Sequence, residues 1–362
     1  MRAAIRVLCG AYGLLATLAV LLVAVLGDRS AISYTAGLLA FWWLLPAPGA
    51  ALLLAATFLG RPESGAPDRV RHRTRGRRRR RRGLVPATTL LLPVLAAGWL
   101  LGPYVVPGRG SDAPADLVVG AFNTSGGAGL RALADISAGP ERPDVWLLQE
   151  VTVWTRPVVD ERLGGEYPYR VYSPDENEVD GWAVLSRYPV LSSEPVTGLP
   201  EGSRGAGLVT LDVDGREVDV VSIHLASPCL GCAGDAVERN PAGRTGDAAR
   251  VRVEEARRLA ELSRAADARG RPVVIGGDLN SSDLNQPLRI LTGGVLDTGA
   301  GDGGLVDTHR AVGNRPQLTR GQNPGFARVD VLLVAGLEPL RDAEGWAGRS
   351  THSPVIGWYA WA

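Results

Sequence analysis

The stretch VVIGGDLNS, residues 273–281, decides how the rest of the chain is read. A short β-branched run stops at Gly276-Gly277 and then presents Asp278 and Asn280. That pattern predicts a buried strand ending at a sheet rim, with a carboxylate and a carboxamide aimed outward. A carboxylate in that position takes a proton from water, and an amide donates to a phosphoryl oxygen without adding charge, so the pattern points to phosphate chemistry. Taken alone, GDLN also reads as an ordinary structural turn. Its companions along the chain separate the two readings.

Working outward, other apolar runs end in polar residues that a plain core does not need. Asn123 follows LVVGAF, Gln149-Glu150 follow DVWLL, His224 follows VDVVSI, Asp330 lies within RVDVLLV, and His352 precedes SPVIGW. Each alone is explained as a cap, a turn or a satisfied core residue. Their recurrence in order asks for a common site.

The runs themselves predict strands over 117–122, 145–148, 183–185, 208–213, 218–224, 273–275, 329–334 and 355–358, with Asp214-Gly215 as a hairpin turn. Helices are fewer. The clearest covers 245–269, where Ala256, Leu259, Ala260 and Leu262 form an apolar stripe; a second covers 130–137, and a third starts with Ser282 or Asp283 as N-cap. Many strands with interspersed helices predict an α/β fold in which two sheets pack face to face with helices outside.

The first third of the chain is different. Residues 7–26, 31–59 and 84–106 are apolar runs of at least the roughly 20 residues that a bilayer crossing needs, which predicts three transmembrane helices. A cleaved signal peptide is the alternative for residues 1–27. Between the second and third runs lies RVRHRTRGRRRRRR, residues 69–82, with ten arginines. Such a run also suits a nucleic-acid arm, but Arg-rich short loops stay in the cytoplasm, which sends the third helix outward. Residues 111–362 then face the extracytoplasmic side. They carry 24 arginines against 35 acidic residues, a balance that repels polyanions and weighs against a nonspecific duplex-DNA binder. Outside the cytoplasm Cys229 and Cys232, in PCLGC, suit a local disulfide; Cys9 lies inside the first apolar run. No second cysteine pair supports a zinc site.

The ordered set, with DVWLLQEV its most specific segment and GWAVLSRYP at 181–189 a further match, resembles the endonuclease/exonuclease/phosphatase superfamily in a membrane-anchored, bacterial-type form. The resemblance implies a four-layer α/β sandwich of the deoxyribonuclease I type, preceded by three transmembrane helices. The expected organisation is an anchor over 1–106 with a cytoplasmic Arg-rich loop (61–83), a linker over 107–115, and a catalytic domain over 116–362. It implies that Glu150 binds a divalent metal beside Asn123, that Asp278 activates or orients the attacking water, and that Asn280 contacts phosphate. His224 and His352 match the two phosphate-contacting histidines, and Asp330 matches the carboxylate orienting the second. The chemistry agrees: Glu150 is a hard oxygen ligand suited to Mg²⁺ or Mn²⁺, and a histidine paired to a carboxylate stays protonated and donates to a phosphoryl oxygen. His224 is expected to do the same from the opposite side. One position departs from the family: Ser350-Thr351-His352 stands where Ser-Asp-His is common, which removes an anionic oxygen and is expected to weaken metal affinity.

The expectation is a membrane-anchored, extracytoplasmic, metal-dependent phosphoesterase acting on a phospholipid head group or small organic phosphate. Membrane lipids are expected to meet the three spans and the Arg-rich loop. A nuclease acting on external nucleic acid and a degenerate phospho-ligand-binding module are the alternatives.

Overall fold

The computed structural model describes residues 1–59, 72–105, 110–174, 181–230, 240–293, 304–321 and 325–362. Five helices lead the chain: α1 (Arg2–Leu26), α2 (Ala31–Leu38), α3 (Ala40–Leu44), α4 (Ala47–Leu59) and α5 (His72–Val105). Arg2–Leu26, Ala40–Phe58 and Ala87–Val105 are long and apolar enough to cross a membrane. The second predicted run is therefore not one span. Its first turns form α2, capped by Ser30, whose hydroxyl accepts from the Ser33 amide at 3.1 Å, and α2 packs on the folded domain. The predicted Arg-rich loop is likewise part helix, since α5 begins at His72; residues 60–71 lie outside the described ones.

Beyond these helices, strands read as near-continuous apolar runs because both faces of each sheet are covered. In β1 (Leu117–Asn123), Leu117, Val119 and Ala121 point between the sheets while Phe122 points outward. In β2 (Val145–Gln149), Val145 and Leu147 point inward, and Trp146 and Leu148 outward. Together with β3 (Tyr169–Tyr172), β4 (Trp182–Ser186), β11 (Leu337–Glu344) and β12 (Val355–Trp361), they form a six-stranded mixed sheet in the order β11-β12-β1-β2-β4-β3. The second sheet has β5 (Val190–Pro195), β6 (Ala206–Val213), β7 (Arg216–His224), β8 (Val273–Asp278), β9 (Val306–Asp307) and β10 (Asp330–Ala335), in the order β5-β6-β7-β8-β10-β9. The inter-sheet core joins Leu117, Val119, Val145 and Leu147 to Val209, Val220, Val274 and Leu332. Helices α6 (Leu130–Ser137) and α7 (Arg156–Leu163) cover the first sheet, and Thr245–Asp267 and Gln286–Thr292 cover the second. The last of these is capped by Asn285, not by Ser282 or Asp283 as expected, because Asn285 holds the extended backbone that precedes Pro287 in the first turn. The predicted linker is already fixed in its second half: the Ser111 amide donates to the Leu340 carbonyl at 2.7 Å.

Gly277 is the position in β8 that admits no side chain. Its φ is +140°, and an added Cβ would lie 2.1 Å from the Ile223 carbonyl oxygen of the neighbouring strand. Backbone cannot yield as a side-chain tip does. Gly277→Ala is expected to destabilise the chain by roughly 3 kcal/mol, the upper end of overpacking costs, read as a melting temperature lowered by roughly 6–12 °C.

Candidate active site

Strand register assembles the site. β7 runs parallel to β8 and sets His224 opposite Asp278, while antiparallel β10 sets Asp330 opposite Asp278 on the other side. Three chemistry-bearing residues thus stand in a row across adjacent strands. In the facing sheet, β1 and β2 end in register at Asn123 and Gln149, and the chain then turns through Glu150 at φ +56°. Left-handed backbone costs a non-glycine residue about 1–2 kcal/mol. The surrounding fold imposes it and so fixes where this carboxylate lies. Asn280, at φ +48°, makes the corresponding turn after β8.

Asn123 joins the two sheets. Its Nδ2 donates to Glu150 Oε1 at 3.0 Å and to Asp278 Oδ2 at 3.1 Å, and its Oδ1 accepts from the Ser125 amide at 3.0 Å. Asp278 Oδ1 accepts the Asn280 amide at 2.7 Å, and Asn280 Nδ2 donates to the Leu225 carbonyl at 2.9 Å. His224 Nε2 and His352 Nε2 each lie 3.6 Å from Asp278 Oδ2. His352 Nδ1 contacts both Asp330 oxygens, at 2.9 and 3.1 Å. All seven residues named from the sequence therefore meet in one connected set. Asp278, Asp330 and His352 are buried and offer ligand atoms within 4.8 Å of one another, a group that could bind a metal.

The two histidines differ electrostatically. Burial works against charge on His352, but Asp330 and Asp278 together hold its pKa above the ordinary histidine value. For His224, burial dominates and lowers the pKa to about 3, with only Asp278 opposing it and Arg204, His352 and Arg320 adding to the fall. Its Nδ1 is buried and has no hydrogen-bond partner among the described residues. The two histidines that the sequence treats alike therefore differ in their surroundings: burial outweighs the single carboxylate near His224, Asp278 at 3.6 Å, whereas Asp330 adds a second at His352.

The sequence did not single out several neighbours. Ser350 Oγ donates to the Asn123 carbonyl at 2.8 Å and accepts the His352 amide at 3.0 Å, tying the end of β1 to the segment that leads into β12. Thr319 Oγ1 accepts the Val329 and Asp330 amides at 3.1 and 3.0 Å, fixing the start of β10. Arg320 pairs through its backbone with His352, and its guanidinium donates to Thr351 Oγ1, which also contacts Ser125 Oγ at 3.1 Å. So at the position where the resemblance implied a carboxylate, this chain presents a neutral hydroxyl that accepts from the Arg320 guanidinium. Arg204 lies near enough that Glu150 and Asp278 support its charge, although burial lowers its pKa. Nothing in its local sequence distinguishes Arg204 or Arg320 from the other arginines.

Trp182 lies in the inter-sheet core, whereas Trp154 and Trp346 are exposed. Trp346, Arg315 and Leu318 line a groove of about 690 Å³ that reaches Ser353, next to His352. His309 and Asp307 pair with Asp342 and Arg328 respectively. Cys229 is disulfide-bonded and Cys9 is a buried free thiol; Cys232, the expected partner of Cys229, lies outside the described residues.

Two mixed six-stranded sheets with a buried Asp-His group at one rim define a deoxyribonuclease I-like α/β sandwich. The chain belongs to the Endonuclease/Exonuclease/phosphatase family, which it matches over residues 120–352. It is similar in fold to an endonuclease/exonuclease/phosphatase from Beutenbergia cavernae DSM 12333, with a TM-score of 0.50 and 21% identity over 68% of this chain and 72% of that one. A truncated TDP2 from Caenorhabditis elegans aligns with a TM-score of 0.48 and 18% identity over 68% of this chain and 97% of that one. The human Nocturnin catalytic domain with bound sulfate anion gives 0.49 and 17%, over 68% and 94%. No curated protein matches the sequence.

Proposed function

We propose that the chain is a membrane-anchored, bacterial-type member of its family that hydrolyses a phosphate ester on the extracytoplasmic side, with a phospholipid head group or small organic phosphate as substrate. The convergence of Glu150, Asn123, Asp278, His224 and the Asp330-His352 pair on one rim carries the reading.

Glu150, with Asn123 beside it, would hold a divalent cation, Mg²⁺ or Mn²⁺, since its carboxylate supplies the hard oxygen such ions prefer. The Asp278-Asp330-His352 group suits that ion less well. Asp330 and His352 are bonded to each other, and the protonated imidazole that the carboxylates favour has no lone pair to give. A bound cation supplies charge neutralisation on the phosphoryl oxygens. Asp278 takes or orients the proton of the attacking water from the centre of the cluster. Asn280, anchored by one N–H on Leu225, keeps a second for a phosphoryl oxygen. His352 donates from Nε2, the nitrogen that Asp330 leaves exposed to the reaction centre. Arg204 and Arg320 add positive charge at its edges, which suits a substrate phosphate.

The His352 assignment has a pH signature. A donor whose pKa is raised by Asp330 acts below that pKa and fails as pH rises through it. Asp330→Asn is expected to move the alkaline limb of kcat to lower pH and to reduce kcat above neutrality by on the order of 10²-fold. A pH–rate profile of both proteins checks it.

Placement of the anchor supports the rest. Helix α2 packs on Ala249 and Val329, and α5 accepts a bond from Arg310 at the Trp99 carbonyl, so both meet the folded domain and lie on one side of the membrane, opposite the Arg-rich segment, which belongs in the cytoplasm. That segment is also suited to holding anionic lipid head groups. Thr351 in place of a carboxylate favours one further reading, a phospho-ligand-binding module without turnover. The test offers the full chain, in detergent and in vesicles, a phospholipid, a soluble phosphomonoester and single-stranded DNA, with Mg²⁺ or Mn²⁺. Turnover of lipid or small organic phosphate is expected. Preference for DNA would make the protein a nuclease, and saturable binding without turnover would make it a binding module.

A further inference from the structure

The anchor does more than tether. The segment between the first two spans, residues 28–38, is packed directly behind the site through a series of buried polar contacts. Tyr34 is fully buried, and its hydroxyl donates to the Asn280 carbonyl at 2.8 Å. The Arg252 guanidinium, also fully buried, stacks on the Tyr34 ring at 4.2 Å and donates to the Ala226 carbonyl at 2.5 Å. Tyr34 therefore braces both rim loops at once, directly the one that follows Asp278 and, through Arg252, the one that follows His224. Next to it, Asn285 Nδ2 donates to Asp28 Oδ1 at 2.9 Å and to the Tyr34 carbonyl at 3.1 Å, and Ser282 Oγ donates to the Gly37 carbonyl at 2.9 Å. Tyr34 and Leu38 share a core cluster with Val329, the residue before Asp330, and the Val329 carbonyl accepts the Leu279 amide at 2.8 Å.

The bond falls where support matters most. Asn280 has left-handed backbone, and its amide fixes Asp278 Oδ1, so rotation of the peptide after Asn280 would disturb Asp278 and the Asn280 side chain together. Within the sheets, nothing else described bonds the Asn280 carbonyl.

We infer that Tyr34 is a positioning residue: the segment between the first two membrane helices is part of the catalytic unit, and its tyrosine hydroxyl holds the Asp278–Asn280 turn in its working geometry. This rests on the phosphoesterase reading. It makes activity dependent on the anchor, so that the sheets severed from residues 1–105 lose turnover even where they stay folded.

The test compares full-length wild type with Tyr34→Phe, which keeps the ring, the Arg252 stack and the apolar contacts and removes one hydrogen bond. A displacement of about 1 Å costs up to about 10²-fold in rate. Loss of the hydroxyl is expected to lower kcat roughly tenfold, with KM and the metal concentration for half-activation unchanged within about twofold. Hydrogen–deuterium exchange of the peptide spanning residues 279–285 is expected to quicken, while exchange in β1 and β12 and the melting temperature stay as in wild type. An active wild type whose kcat survives Tyr34→Phe overturns the inference, as does a loss fully accounted for by unfolding. A wild type with no turnover on any reporter overturns the phosphoesterase reading instead. The exchange comparison then decides the inference alone, quickened exchange at 279–285 supporting it and unaltered exchange overturning it.

Discussion

Asp278→Asn is expected to lower kcat by on the order of 10²–10⁴-fold, the range that general-base removal produces, while the protein still folds. Asp278 is the hub of the cluster: one oxygen accepts the Asn280 amide, and the other faces Asn123 and both histidines. The substituted amide keeps the shape and one acceptor, so the Asn280 turn can form as before. It offers no basic oxygen to a water, and its NH₂ faces donors where an anion stood. KM is expected to change less than kcat, because the lost interaction belongs to the transition state. A mutant with wild-type kcat would remove Asp278 from the chemistry; circular dichroism of the same sample separates that outcome from misfolding.

Glu150→Gln is expected to raise the metal concentration for half-activation by more than about 100-fold, since loss of a residue that only supports a metal ligand already costs about 10–100-fold. The side chain keeps its length and can still meet Asn123, so what it loses is the anion. Saturating Mn²⁺ is expected to restore part of kcat, which would distinguish a weakened ion site from a damaged base. Asp330→Asn, by contrast, is expected to leave the metal requirement unaltered while moving the pH profile. If instead Asp330→Asn raised the metal requirement and Glu150→Gln did not, the ion would belong in the Asp278-Asp330-His352 group.

How far the sequence disclosed this arrangement depends on where a residue sits. The central strands were legible, because runs such as Leu117–Phe122 and Val273–Ile275 are covered on both faces and must be apolar throughout. The four strands that were not anticipated, β3, β5, β9 and β11, are the four edges of the two sheets. Edges are solvated on one side and carry charge and proline, as in VLSSEP and LEPLRDAE, so they lack the apolar signature of a core strand. The rim residues were legible as polar groups closing apolar strands. Their supporting bonds were not: Thr319, Ser350 and Arg320 sit in irregular segments, and their side chains bond to Asp330, Asn123 and Thr351, which the sequence does not place beside them. Tyr34 was hidden for another reason. It lies within an apolar run that reads as membrane, and only the fold shows that α2 leaves that run to pack against the domain. The different surroundings of the two histidines were not legible either, because a sequence does not reveal which of them a second carboxylate, Asp330, will pair with.

The most direct measurement of the central claim is hydrolysis of a phosphate-ester reporter by the purified full-length chain in detergent micelles, with Mg²⁺ or Mn²⁺ and then with excess chelator. Turnover is expected to saturate with metal, stop on chelation and return when metal is restored. Turnover that persists under chelation, or a folded, metal-binding protein that hydrolyses neither diester nor monoester, would contradict it.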